Sequence, residues 1–88
     1  MKTNALRIHP DDNVAVMLDA VHEDGEVSWA AGEELQANAN ISRGHKVALQ
    51  AIDAGEIIRK YGHPIGLARC AIAKGDHVHV HNLEAREA

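Results

Sequence analysis

Apolar residues along this 88-residue chain come in short runs separated by turn-forming residues, and one phrase recurs. Ile41-Ser42-Arg43-Gly44 leads into His45-Lys46-Val47-Ala48-Leu49. Ile52-Asp53-Ala54-Gly55 leads into Glu56-Ile57-Ile58-Arg59-Lys60, and Ile72-Ala73-Lys74-Gly75 leads into Asp76-His77-Val78-His79-Val80. Each copy has an isoleucine that can bury itself, two small or polar residues, and a glycine suited to a turn with positive φ. A polar residue and a β-prone run follow. The copies begin at positions 41, 52 and 72, steps of 11 and 20 residues, so the chain is not a regular solenoid. They predict a turn-into-strand device reused within one compact β domain.

The remaining segments extend that picture. Asn13–Leu18 reads as an early strand opened by the turn-like Pro10-Asp11-Asp12-Asn13, and Glu26–Ala30 as a second strand between Gly25 and Gly32. Lys60–Gly66 carries Gly62, Pro64 and Gly66, which predicts a shaped loop or a short strand with a tight bend. Helix is expected only briefly, at Gly32–Ala39 or in the Ala- and Leu-rich Lys46–Ala54. The expected fold is therefore mainly β, with short strands and one or two short helical segments. The domain is expected to span 1–83, with 84–88 a polar tail that closes nothing.

Composition narrows the choices. With no Phe, one Trp and one Tyr, the core must be built from Val, Ile, Leu and Ala, with Trp29 as a core or interface anchor. A net charge of −4 with scattered Lys and Arg argues against a nucleic-acid surface, although seven histidines raise the charge in mild acid. The single cysteine, Cys70, cannot pair internally; within Ala68-Arg69-Cys70-Ala71-Ile72 it reads as a buried thiol on an apolar strand. No apolar run approaches the roughly 20 residues of a membrane span, and the N-terminus lacks a signal-peptide core, so a soluble cytoplasmic protein is expected.

Chemistry concentrates at the ends of the β runs. In Gly75–Glu84, a period of 2 puts His77, His79 and His81 on one face and Val78 and Val80 on the other. Neighbouring histidines on a straight strand stand about 7 Å apart, and the outer two about 13 Å. Metal–nitrogen bonds are about 2 Å long, so one pair could share an ion, with further ligands from elsewhere. The same pattern also describes a solvated strand face. Lys46 beside His45, and Lys60 beside Tyr61, suit an anionic substrate: lysine holds a carboxylate, while imidazole or phenol moves a proton. Asp11-Asp12 and Glu33-Glu34 read as solvated acidic pairs, and His9 and His22 as surface residues. No nucleophile elbow, P-loop, dinucleotide fingerprint or Cys-x-x-Cys is present.

Taken in order, Gly44-His45-Lys46-Val47-Ala48-Leu49, Lys60-Tyr61-Gly62, Ile65-Gly66 and His79-Val80-His81-Asn82 resemble the small N-terminal domain of the altronate/galactarate dehydratase family. That family includes split sulfolactate sulfo-lyases, and the similarity runs from about Asn13 to Leu83. The resemblance implies a SAF-type β-clip fold and a lyase that eliminates water, or sulfite, from a hydroxylated acid. It also implies a large catalytic subunit as partner, inactivity alone, and a divalent metal, Fe2+ or Mn2+, held mainly by that partner. A separate small subunit is the expected form, with an excised domain the alternative and a homo-oligomer possible without the partner. Carried over residue by residue, His79, His81 and Tyr61 become catalytic, and His45, Lys46, Lys60 and Asn82 substrate-binding. His79 and His81 are the metal ligands so implied; His63 receives no role. A non-catalytic acid- or carbohydrate-binding module of the same fold is the other reading.

Overall fold

A buried aliphatic residue, with a left-handed backbone step three positions later, is the unit from which this domain is assembled. In the computed structural model, which describes residues 3–85, Ile41, Ile52 and Ile72 are buried, and Gly44, Gly55 and Gly75 stand at φ of 84°, 84° and 92°. Each glycine is the third residue of a turn closed by a backbone bond, such as His45 N–H to Ser42 C=O at 3.0 Å. Positive φ at that position is what a type II turn demands. The next residue but two, Val47, Ile58 or Val78, is again buried.

A fourth copy begins at Val21. Its turn closes through Gly25 N–H to His22 C=O at 2.8 Å, Asp24 supplies the positive φ (67°), and Val27 is buried. It lacks the telltale glycine because aspartate tolerates the left-handed region better than most residues. With it the pattern becomes a duplication. Val21 bridges Ile41 and Ile52 bridges Ile72, the second pair lying 31 residues beyond the first (21 to 52, 41 to 72). The hydrogen bonds repeat at the same offset: Gly44 N–H to Met17 C=O matches Gly75 N–H to Ala48 C=O, at 2.8 and 2.9 Å.

Nine strands result among the described residues: β1 (Ala5–Leu6), β2 (Val14–Met17), β3 (Glu26–Ala30), β4 (Glu33–Gln36), β5 (Lys46–Ala48), β6 (Ile57–Lys60), β7 (His63–Ala68), β8 (His77–Val78) and β9 (Leu83–Ala85). A central antiparallel sheet runs β1-β2-β5-β8, flanked by the β3-β4 hairpin and by a β6-β7-β9 sheet. Two aliphatic clusters fill the interior. Val21, Val27, Ile41 and Val47 belong to the first, on which Trp29 packs, and Ile52, Ile58, Ile72 and Val78 to the second. The Phe-free core is thus built twice from the same β-branched residues.

Several expectations change here. Among the described residues there is no helix: Gly32–Ala39 opens with a hairpin glycine at φ 77° and continues as β4, and Lys46–Ala54 starts as β5. The tail expected from residue 84 is partly structural, because Glu84 and Ala85 pair with Leu67 and Gly66 in β9; residues 86–88 lie outside the described range. Gly66 permits that approach, since a Cβ there would lie 2.4 Å from the Glu84 carbonyl oxygen. Cys70 is exposed rather than buried, because β7 ends at Ala68 and the chain bends away as Arg69 N–H bonds the Asn82 carbonyl.

The turn glycines should separate by mutation. Gly55→Ala meets no atom within 4 Å and is expected to cost only the left-handed strain, about 1 kcal/mol. Gly75→Ala would also place Cβ 2.4 Å from the Gln36 carbonyl oxygen, and should cost roughly 3 kcal/mol or more. Urea unfolding of both variants checks this; equal losses would contradict the close packing at Gly75.

Candidate functional site

The second turn of each half delivers an imidazole to neighbouring strands. His45 follows Gly44 into β5, and His77 opens β8, where it pairs with Val47 while Lys46 pairs with Val78. The strand expected through His81 stops at Val78. His79 C=O accepts Asn82 N–H at 3.1 Å and Leu83 N–H at 2.9 Å, so the chain turns, and Val80 points outward at 73% exposure while Val78 is buried. Asn82, 5% exposed, clasps this turn: its Oδ1 accepts His79 N–H at 2.9 Å, and its Nδ2 donates to His77 C=O at 2.8 Å. Its amide therefore holds the backbone of this turn at both His77 and His79.

The turn folds His79 back over His45, with ring centroids 4.1 Å apart. His45 and His77 stack at 5.1 Å, and His45 Nδ1 lies 2.8 Å from His77 Nε2, within hydrogen-bonding distance. One ligand-capable nitrogen from each of His45, His77 and His79 lies within 4.8 Å of the others. His81 stands beside them, 5.1 Å from the His77 ring, tilted and outside that group. The group of three within metal reach is thus His45, His77 and His79, which includes His79 of the expected ligands but not His81. A straight strand could not have produced it.

Electrostatics act on two of these imidazoles. Partial burial lowers the His77 pKa below the ordinary imidazole value, as do the charges of His81, His45, His79 and Lys46. His79 is lowered by desolvation first, then by His45, Lys46 and His81. Lys46 is itself lowered, first by burial and then by Lys60. Lys46 therefore lies within electrostatic reach of both the imidazoles and the second lysine.

Lys60 leads into a tight hairpin turn. Lys60 pairs with His63 across a two-residue turn, Tyr61-Gly62, with φ of 58° and 75°. Two positive φ values mark a type I′ hairpin turn, a conformation a tyrosine rarely adopts. Asp12 offsets the strain. Its carboxylate, 2% exposed, accepts Gly62 N–H at 2.7 Å and the N–H groups of Tyr61 and His9, each at 3.0 Å. Burial pushes this carboxyl up, but those donors, with His9 nearby, outweigh it and leave the pKa below the usual carboxylate value. Asn13 adds two bonds to the same hairpin, donating to Ile57 C=O at 2.9 Å and accepting from Arg59 N–H at 2.8 Å.

Asp12 is thus not half of a solvated pair; only Asp11 is exposed. The clue was the run of Asx residues before β2, which favour capping backbone N–H groups, but partners some 50 residues away left no local trace. The held turn presents Tyr61, 53% exposed, with the Lys60 ammonium 4.8 Å from its ring centroid. His63 is exposed at the start of β7, and His9 packs against Gly62. Two lysines, a phenol and a group of imidazoles can hold an anion and exchange a proton with it.

Comparison with known proteins agrees with this architecture. The family description "Altronate/galactarate dehydratase SAF domain" matches residues 3–86. The chain is 44% identical over 79 residues to altronate dehydratase of Bacillus subtilis, covering 90% of this chain and 16% of that protein. It is 44% identical over 52 residues to the (2R)-sulfolactate sulfo-lyase subunit alpha of Paracoccus pantotrophus, covering 59% of this chain and 78% of that subunit. The corresponding subunit of Chromohalobacter salexigens is 30% identical over 82 residues, with 86% and 87% covered. The chain spans about a sixth of the dehydratase and most of each sulfo-lyase subunit.

Two measurements probe the site. In an NMR titration, His77 and His79 should titrate below the ordinary imidazole pKa of about 6.5. Lys46→Met should raise both, since Lys46 opposes their protonation; unchanged values would separate Lys46 from the cluster. Asp12→Ala, which strands three backbone N–H groups, should cost roughly 3 kcal/mol at pH 7. Because the folded Asp12 pKa is depressed, its stabilisation is present above the unfolded value of about 3.9 and is lost as pH falls through the folded one. The stability gap between wild type and Asp12→Ala in urea unfolding should therefore narrow below about pH 4.

Proposed function

This chain belongs to the altronate/galactarate dehydratase SAF-domain family, and on that premise we propose that it is the small part of a two-part lyase. It works with a large catalytic partner to eliminate water from a sugar acid, and it is inactive alone. The observation that supports this reading is the charge coupling of Lys46 both to Lys60 and to the imidazoles of His77 and His79, with Tyr61 lying against Lys60. Elimination beside a carboxylate builds enolate-like charge and requires the departing hydroxyl to be protonated. Lys46 and Lys60 hold the carboxylate and stabilise that charge. Tyr61 and His81, the exposed members, move the proton between the acid and solvent. The enzyme is cytoplasmic in this reading.

The family points to a divalent metal, Fe2+ or Mn2+, in the complete enzyme, held mainly by the large partner. Such an ion would supply Lewis-acid polarisation of a substrate oxygen. The donor set on this chain, three imidazoles without a carboxylate, suits iron better than manganese. His45, His77 and His79 are the residues able to approach it.

A second reading is the small subunit of a sulfo-lyase, in which sulfite departs instead of water. It is favoured by the sulfo-lyase alpha subunits, whose lengths this chain covers at 78% and 87%. Altronate and sulfolactate offered to the chain combined with its large partner distinguish the two readings. Turnover should require both components, and Lys60→Ala should lower kcat/KM about 10- to 100-fold while co-purification persists. Full turnover by the large protein alone would leave this chain a binding module without a catalytic part.

A further inference from the structure

We propose that His45, His77 and His79 form a transition-metal site belonging to this chain itself, with an open position that takes an anionic oxygen. The inference stands on the geometry of the three imidazoles and does not require the lyase reading. Their ligand-capable nitrogens lie within 4.8 Å of one another, against about 3.4 Å between two nitrogens on one tetrahedral ion. Binding requires the side chains to rotate and close that difference, starting from rings stacked within 12–14° of parallel.

The backbones that carry the rings are already fixed. His45 C=O accepts Met17 N–H at 2.9 Å, and His77 is paired to Val47 in the central sheet. His79 N–H is held by Asn82. A binding site whose backbone is set before the ligand arrives avoids most of the ordering cost. Packing does not explain the cluster either. Val47 and Val78 fill the core beneath it, and the imidazoles remain half-exposed above.

The donor set selects the ion. Three imidazole nitrogens without a carboxylate suit Zn2+, Ni2+, Co2+ or Fe2+, and disfavour Ca2+ and Mg2+, which require oxygen ligands. Three protein ligands leave one coordination position open. A divalent ion held by neutral ligands beside Lys46 keeps its full positive charge, so the open position favours a carboxylate or hydroxide over a neutral ligand.

The test uses the full 88-residue chain, stripped of metal, with Zn2+ followed by calorimetry and Co2+ by visible absorption. The expected result is one ion per chain at micromolar affinity or better, with a Co2+ spectrum of four- or five-coordinate type. His45→Gln, His77→Gln and His79→Gln should each weaken binding by about 100-fold with the circular dichroism unchanged, whereas His22→Gln and His63→Gln leave it intact. Gluconate, a hydroxy acid, should shift the Co2+ spectrum of the wild type. Absence of one-to-one binding, or binding indifferent to the three substitutions, overturns the site. Equal damage from His81→Gln overturns this ligand assignment, and a spectrum unmoved by gluconate overturns the open anionic position. No outcome depends on turnover, so failure here is separable from failure of the lyase reading.

Discussion

A left-handed backbone step placed three residues after a buried aliphatic side chain governs this molecule. It closes a turn, sends the chain into a strand, and buries a second aliphatic residue on the same side. Four such units meet in two bridged pairs, Val21 with Ile41 and Ile52 with Ile72, and each pair seeds its own aliphatic cluster. The imidazole group inherits its location from that arithmetic. Gly44 and Gly75 occupy equivalent places in the two halves, so the residues that follow them enter the adjacent strands β5 and β8. The duplicated scaffold thus brings together side chains 32 residues apart in the chain.

Polar burial is the second constraint, and it is spent almost wholly on shaping exposed chemistry. Only Asp12, Asn13, Ser28 and Asn82 are buried polar residues among those described. Three of them hold backbone at the site: Asp12 the Tyr61-Gly62 turn, Asn13 the hairpin beneath it, and Asn82 the turn between His77 and His79. A buried carboxylate or amide is tolerable only when its hydrogen-bonding capacity is met, so each of these side chains is tied to one geometry. The exposed Tyr61 and the half-buried Lys60 owe their placement to residues that are themselves buried. Family membership fits this division, since the chain matches a segment about a sixth the length of its Bacillus subtilis dehydratase relative.

The strands β2 and β3 were legible because alternating or β-branched runs between turn residues leave a local mark, as was the recurring Ile-x-x-Gly phrase. The copy at Val21 escaped because Asp24 replaces the glycine, although the backbone conformation is the same. The role of Asp12 was invisible for a different reason: its acceptors serve amides about 50 residues downstream, and an Asp-Asp pair on paper looks solvated. Cys70 sat among apolar letters, yet its backbone leaves the sheet at Ala68.

Local order therefore followed from the amino acids directly: glycine and aspartate can enter the left-handed region, β-branched residues favour extended backbone, and both act through nearest neighbours. The residue types of the site, its histidines, lysines and tyrosine, were equally plain, as was the family their spacing resembles. Which histidines meet was a matter of the folded chain. On a straight strand His77, His79 and His81 would have stood in a row; one buried amide at Asn82 ends the strand after Val78 and turns His79 toward His45. A contact between distant segments depends on where both are anchored, and no short stretch of letters carries that information.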